Sequence, residues 1–267
     1  MRVLAFVGGL AALWLPLYGL FTALIDDANT LSIVVMAVLF VEFLLLLKGW
    51  NRWVYGCDRP WSRYGLQWNW RNGRGLLLGY CIGSFCLLLL FLVQQRLGWI
   101  EWTSWRYLNL VPQLKIGISG LLVALGVGLG EEIVFRGWLL DELERDYSAS
   151  TALRVSSILF AVLHFIRPLS EIIRTFPQFP GLVMLGLVLV WAKRSHRGQL
   201  GIAIGLHAGL VWGYYWVNVG QLVQYQPGVP EWWSGIDRNP LAGLLSLGFL
   251  TILALWFRHR AIVAIRD

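Results

Sequence analysis

The sequence predicts an all-α, polytopic membrane protein, a bundle of about eight transmembrane helices. Three observations point there. Of 267 residues, 57% are hydrophobic and only 14% are charged, against roughly 25% charged in a soluble domain. The apolar residues fall in long blocks, several near or above the ~18 residues that cross ~30 Å of hydrocarbon as a helix. The blocks are also too continuous for barrel strands, the other architecture that satisfies its backbone in lipid.

The predicted spans are 5–24, 31–47, 76–93, 116–140, 151–166, 181–192, 199–217 and 241–257. The first block is longer than the ~7–15 residues of a signal-peptide core and reads as an uncleaved span. The connection 48–74 is basic and carries Trp50, Trp53, Trp61, Trp68 and Trp70. Next to membrane spans, that mixture belongs in the headgroup layer, with half-wet indoles and arginines against anionic lipid. Trp99, Trp102, Trp105, Trp232 and Trp233 form the corresponding belt on the other side. The chain divides into N-terminal helices with the basic loop (1–114), a central segment with the intramembrane ionisable residues (115–220), and an outer loop with the last helix (221–267).

The net charge of +7 suggests nucleic acid, but the placement of the charges does not. With both termini cytoplasmic, 16 of the 22 Lys and Arg fall on the cytoplasmic side, among them Arg136, Arg145, Arg154, Lys193 and Arg194. Six fall opposite, including Arg106 and Arg167. That asymmetry is the positive-inside rule. The expected location is a bacterial cytoplasmic membrane, crossed many times, with lipid as the constant partner and no nucleic acid. Cys57, Cys81 and Cys86 have no metal or disulfide spacing and read as small apolar residues.

Gly201, Gly205, Gly209 and Gly213 recur every four residues in the seventh span. On a helix they form one smooth stripe against which another helix can pack closely. His207 points away from it, by about 180° at 100° per residue. Gly126 and Gly130 read as a shorter stripe of the same kind in the fourth span.

The chemistry concentrates at Glu131, Glu132 and Arg136. Charged side chains at mid-membrane are costly, ~2.5–3.5 kcal/mol for Asp, Lys or Arg on insertion scales, and they face the bundle interior and pair. Glu132 and Arg136 are four residues apart with the acid first, the favourable helical order. Glu131 lies about 100° round the helix without a local partner, which suits a general base acting on water. The Glu132–Arg136 pair is read equally as a structural tie between helices.

His164 follows Phe160 by one turn, and the ring can stack on the imidazole. If the fourth helix continues to a turn near Ser148, Glu131 lies 17 residues before that turn and His164 lies 16 after it. Both are then about 25 Å from it at 1.5 Å per residue. His207, about 12 Å into its own helix from Gln199, shares that layer if the tip of the hairpin protrudes by about 10 Å. His196 and His259 sit in basic stretches and read as solvated. One Glu with two His suits zinc, with Glu131, His164 and His207 as ligands if a metal is bound. The same set suits metal-free hydrolysis, with Glu as base and His as acid or oxyanion donor. No His-Glu-x-x-His motif is present, and the sequence leaves both chemistries open.

These motifs together (Glu131-Glu132-x-x-x-Arg136, Phe160-x-x-x-His164 and a glycine-rich span with His207) resemble the CPBP family. That family comprises type II CAAX prenyl endopeptidases and bacteriocin-processing or bacteriocin-immunity proteins. The resemblance covers roughly residues 120–216. It implies an eight-helix fold with a site open to the cytosol and hydrolysis of a peptide or protein substrate, of which a lipidated one is one possibility. It further implies that Glu131 and His164 activate water while His207 stabilises the oxyanion. One position departs from the pattern: four residues after His207 the family usually has Asn or Asp, and this chain has Val211. Trp212 and Tyr214 are candidate replacement donors. The leading expectation is an intramembrane, glutamate-dependent endopeptidase. The alternatives are a catalytically weak or inactive scaffold or immunity-type protein of the same fold, and a proton-coupled transporter, since intramembrane Glu and His also serve proton relays.

Overall fold

The computed structural model describes residues 2–104 and 109–266. Trp105, placed above in the outer belt, and Arg106, counted among the charges on that side, lie outside them. The described chain is an all-α membrane bundle. Its long helices are α1 (Arg2–Leu24), α2 (Ala28–Tyr55), α3 (Trp70–Arg96), α4 (Leu110–Glu132), α6 (Ala149–Leu163), α7 (Phe179–Ser195), α8 (Gly201–Val219) and α9 (Leu244–Arg266). α4 runs without interruption through a π-helical segment, Ile133–Leu139, into the short α5 (Leu140–Asp146). Two three-residue strands, β1 (Ile100–Trp102) and β2 (Val223–Tyr225), pair antiparallel, with Ile100 opposite Tyr225.

Side-chain oxygens mark the helix starts. Asp27 accepts from the Thr30 amide at the start of α2, Asn69 from Asn72 at α3, Asn109 from Val111 at α4, and Ser148 from Thr151 at α6. Each satisfies an amide that the helix leaves without a partner. The cap at Ser148 is the turn on which the alignment of Glu131 with His164 depends.

Among the described residues, six stretches are long and apolar enough to cross a membrane: Arg2–Leu24, Ala28–Tyr55, Trp70–Arg96, Leu110–Asp146, Leu169–Ser195 and Leu244–Ala264. The other two of the eight expected spans correspond to α6, only 15 residues long, and α8, which does not reach that measure. α8 packs inside the bundle, surrounded by neighbouring helices, whereas α6 buries one face and leaves Ile158, Val162 and Leu163 exposed. α8 is central, against α3, α4 and α7, and α6 and α9 both pack on α7. The turn at Ser148, the loops 56–69 and 196–200, and the start of α1 lie at one end, called here the basic end. The Arg2 guanidinium meets Glu142 and Asp146 there. The β1–β2 pair and the segments 164–178 and 226–243 lie at the other, the β end.

Glycine makes the central packing possible. A Cβ on Gly201 would come within 2.1 Å of the Asn72 carbonyl oxygen. On Gly205 it would come within 1.9 Å of that of Leu76, and on Gly209 within 2.4 Å of that of Tyr80. The stripe docks on α3, which answers with one of its own: a Cβ on Gly79 or Gly83 would meet the Ile202 or Leu206 carbonyl at 2.2 and 2.4 Å. The expected Gly126/Gly130 stripe is not a docking surface. A Cβ at Gly126 would meet nothing within 4 Å, and one at Gly130 would make only ordinary contact with Phe40. α4 instead approaches α8 through Gly128, whose Cβ would lie 3.0 Å from the Ile204 carbonyl.

Two residues counted as topological charges are interior. Arg136 is fully buried, and Lys193 is 9% exposed with Nζ donating to the Arg136 carbonyl. Trp50 also leaves the belt reading: its indole donates to buried Glu142 at 3.2 Å and stacks edge-on with Phe6. Trp53, Trp68 and Trp70 are exposed, as expected of headgroup residues.

Candidate active site

The site is assembled by α4, α6 and α8 at one depth. Glu132, the last residue of α4, is completely buried. Its Oε1 accepts from Arg136 Nη1 at 2.8 Å and pairs with His207 Nδ1 at 2.9 Å. Arg136 is held by more than this partner. Its Cζ lies 4.2 Å from the Phe160 ring centroid, and Nη2 reaches the Gly186 carbonyl at 3.4 Å. The two carboxylates are thus separated at the point where the α-helix gives way to π-helical turns. Single π turns occur often at functional sites.

Glu131 faces the other way. Its side chain is 32% exposed, and Oε2 has no hydrogen-bond partner among the described residues. His164 Nε2 lies 3.8 Å from that oxygen and His207 Nε2 lies 3.9 Å from it. These separations exceed a hydrogen bond, and Oε2 is itself buried, so the exposure belongs to the rest of the side chain. Both rings are fixed from behind. His164 Nδ1 meets the Phe160 carbonyl at 2.7 Å, and His207 Nδ1 meets Glu132. Phe160, fully buried, lies 4.6 Å from the His164 ring and 6.2 Å from that of His207, centroid to centroid. The aromatic predicted to lie on one histidine therefore touches both, and Arg136 as well. The structure brings together all six residues singled out in the sequence: Glu131, His164, His207, Glu132, Arg136 and Phe160.

A cavity of about 290 Å³ opens on Glu131, His164 and His207. α6 ends at Leu163, and the cavity occupies space beyond that end. It runs along Val211 and Tyr214 of α8 to Arg167 and Asn239 in connections of the β end. Of the two replacement donors, Tyr214 lines the cavity and Trp212 does not, because its indole donates to the Gly117 carbonyl at 2.8 Å. Sequence reading missed Gln178 and Ser246, polar residues on the cavity wall that come from segments remote from every motif.

His and Glu have the donor chemistry of zinc, and a second partner behind each imidazole is common around metals. Yet among the described residues no group of three His, Cys, Asp or Glu is arranged to hold a metal ion. The geometry is that of an acid–base cluster beside a cavity, which does not fit a metal ion.

Residues 113–218 match the family model of the type II CAAX prenyl endopeptidase Rce1-like proteins. No curated protein and no solved structure matches the chain. The matched segment contains α6, α7, α8 and all six residues of the cluster. The segment that carries the site is therefore similar to the Rce1-like type II CAAX prenyl endopeptidases, in agreement with the CPBP motifs, and this similarity supports an intramembrane endopeptidase.

Proposed function

We propose that the protein hydrolyses a peptide bond of a membrane-associated substrate with water activated by Glu131 and His164. The observation that carries this reading is the convergence of His164 Nε2 and His207 Nε2 on Glu131 Oε2, at 3.8 and 3.9 Å, beside the cavity. With Nδ1–H of His164 donated to the Phe160 carbonyl, the neutral ring offers its Nε2 lone pair. Water bridging Glu131 and His164 donates one hydrogen bond to each. As its oxygen bonds to the carbonyl carbon, Glu131 takes one proton and the carbonyl oxygen becomes an oxyanion. Collapse breaks the C–N bond, and the proton on Glu131 passes to the leaving nitrogen.

His207 serves the oxyanion. Its Nδ1–H is directed to Glu132, so a donor at Nε2 requires the doubly protonated ring. The cluster then holds two carboxylates, Glu131 and Glu132, against two cations, Arg136 and His207, a balanced set in an apolar setting. Glu132 and Arg136 act by positioning His207. Lipidated peptides are one substrate class for such a site, and the membrane is its medium.

A second reading, an inactive scaffold or immunity-type protein, is favoured by one observation. Val211 presents an isopropyl group to the cavity one turn from His207, where the CPBP pattern carries a polar donor. The two readings separate in one experiment: cleavage of a quenched-fluorescence peptide library by the purified protein in detergent, with and without chelator. Cleavage that survives chelation supports the mechanism above, cleavage lost with chelator assigns Glu131 and the histidines to a metal, and no cleavage by any lipidated or unlipidated peptide favours the scaffold.

A further inference from the structure

A second cavity, of about 630 Å³, lies between α6, α7 and α9. It shares no lining residue with the cavity beside Glu131, and α7 stands between them. That helix turns Leu182 and Leu185 to the first and Met184, Leu187 and Trp191 to the second. The lining of the second divides by chemistry. Leu153, Met184, Leu187, Trp191 and Leu255 form an apolar trough. Arg154, Arg194 and Arg258, one from each of the three helices, line the same space toward the basic end.

The three arginines differ in what they meet. Arg194 is neutralised, with Nη2 2.7 Å from Glu144 and 2.7 Å from the Ala149 carbonyl. Arg154 and Arg258 are exposed, and neither pairs with a carboxylate among the described residues. Arg154 gives only its Nε to the chain, at the Ser150 carbonyl. Two free guanidiniums therefore stand over one apolar trough. From Arg194 to Met184 is ten residues, about 15 Å along α7. That is half of the ~30 Å hydrocarbon core, the depth of one leaflet. Basic pockets between membrane helices suit anionic headgroups, and the guanidinium fork matches phosphate oxygens. A zwitterionic headgroup would bring a cation of its own to the two arginines. A second copy docked by the same face would set arginine against arginine.

We propose that this groove binds one anionic phospholipid, with its phosphodiester between Arg154 and Arg258 and an acyl chain along Leu153, Leu187 and Leu255. The site requires neither the chemistry at Glu131 nor a particular side of the membrane for the basic end.

Native mass spectrometry of the full chain in detergent, titrated with dioleoylphosphatidylglycerol or dioleoylphosphatidylcholine, tests this. The expected result is one phosphatidylglycerol per chain, bound about tenfold more tightly than phosphatidylcholine. Arg154→Gln with Arg258→Gln abolishes that preference. Arg71→Gln with Arg74→Gln, which removes the same charge from the start of α3, keeps it. Leu255→Trp fills the trough without changing charge and weakens the binding of both lipids. All five residues are exposed, so the lipid-free variants melt as wild type does. Millimolar glycerophosphoglycerol, the headgroup without its chains, leaves the lipid bound. Equal affinity for the two lipids, or an equal loss of preference in the two double variants, overturns the site. Displacement by glycerophosphoglycerol would make it a phosphate site and overturn the lipid assignment, and a dimer that excludes lipid would assign the groove to a second copy instead.

Discussion

Glu131 and Glu132 are neighbours in sequence with opposite environments. Glu132 is wholly buried and shares one oxygen between Arg136 and His207, whereas Glu131 is 32% exposed toward the cavity with a free oxygen near two imidazole nitrogens. One step of about 100° round a helix separates a carboxylate that holds the bundle together from one available to substrate. The roles should therefore come apart on mutation.

Removing Glu132 leaves Arg136 charged and buried. Breaking such a pair by deleting one partner costs about 3–5 kcal/mol, so Glu132→Gln should lower the melting temperature in detergent markedly. Glu132→Gln combined with Arg136→Met should recover part of that loss. Thermal melts of the single and double variants check this, and a double variant no more stable than the single would contradict the pairing.

The glycine interface between α3 and α8 is backbone on backbone, so it has no flexible side chain to yield. Gly205→Val places methyl groups where the Leu76 carbonyl stands. Overpacking of ordinary cores costs about 1–3 kcal/mol, and a backbone contact should exceed that. Gly126→Val, with open space at its Cβ, should melt as wild type does. Equal effects of the two substitutions would contradict the described packing.

Val211 tests the oxyanion assignment. Loss of one oxyanion donor costs about 10²–10³ in kcat. Val211→Asn adds an amide to the cavity wall one turn from His207 and should raise kcat with little change in KM. If Tyr214 supplies the missing donor, Tyr214→Phe lowers kcat and Val211→Asn restores it. Steady-state kinetics on the three variants decide this.

His164→Ala removes the acceptor that orients water and also the ring that packs on Phe160. The predicted loss in kcat is about 10²–10⁴, the range for acid–base groups. Because His164 is half-buried at the end of α6, its removal should lower the melting temperature far less than Glu132→Gln does. A stability loss as large as that of Glu132→Gln would make His164 a packing residue instead.

Much of this site is legible in the sequence. The 131–136 and 160–164 spacings and the equal distances from Ser148 bring Glu131 and His164 to one depth, because an unbroken helix and a capped turn are local features. The stripe at Gly201–Gly213 correctly turns His207 away from α3. Other features needed the fold. Gly75, Gly79 and Gly83 carry the same period of four and could have been read as the partner stripe, whereas the Gly126/Gly130 spacing occurs on a face where no helix backbone comes close. Arg136 and Lys193 counted toward charge asymmetry, though tertiary packing places them inside. The π-helical segment leaves no pattern in residue type. Gln178 and Ser246 reach the cavity only because α7 and α9 pack together, a contact between distant segments that no local motif records.

The most direct test of the central claim compares Glu131→Gln with wild type in two readouts on the same preparation, peptide cleavage and melting temperature. The account predicts that cleavage falls by at least about 10² while the melting temperature stays within a degree or two, because Glu131 Oε2 has no hydrogen-bond partner among the described residues. Cleavage at the wild-type rate, or a collapse in stability comparable to that of Glu132→Gln, would contradict it.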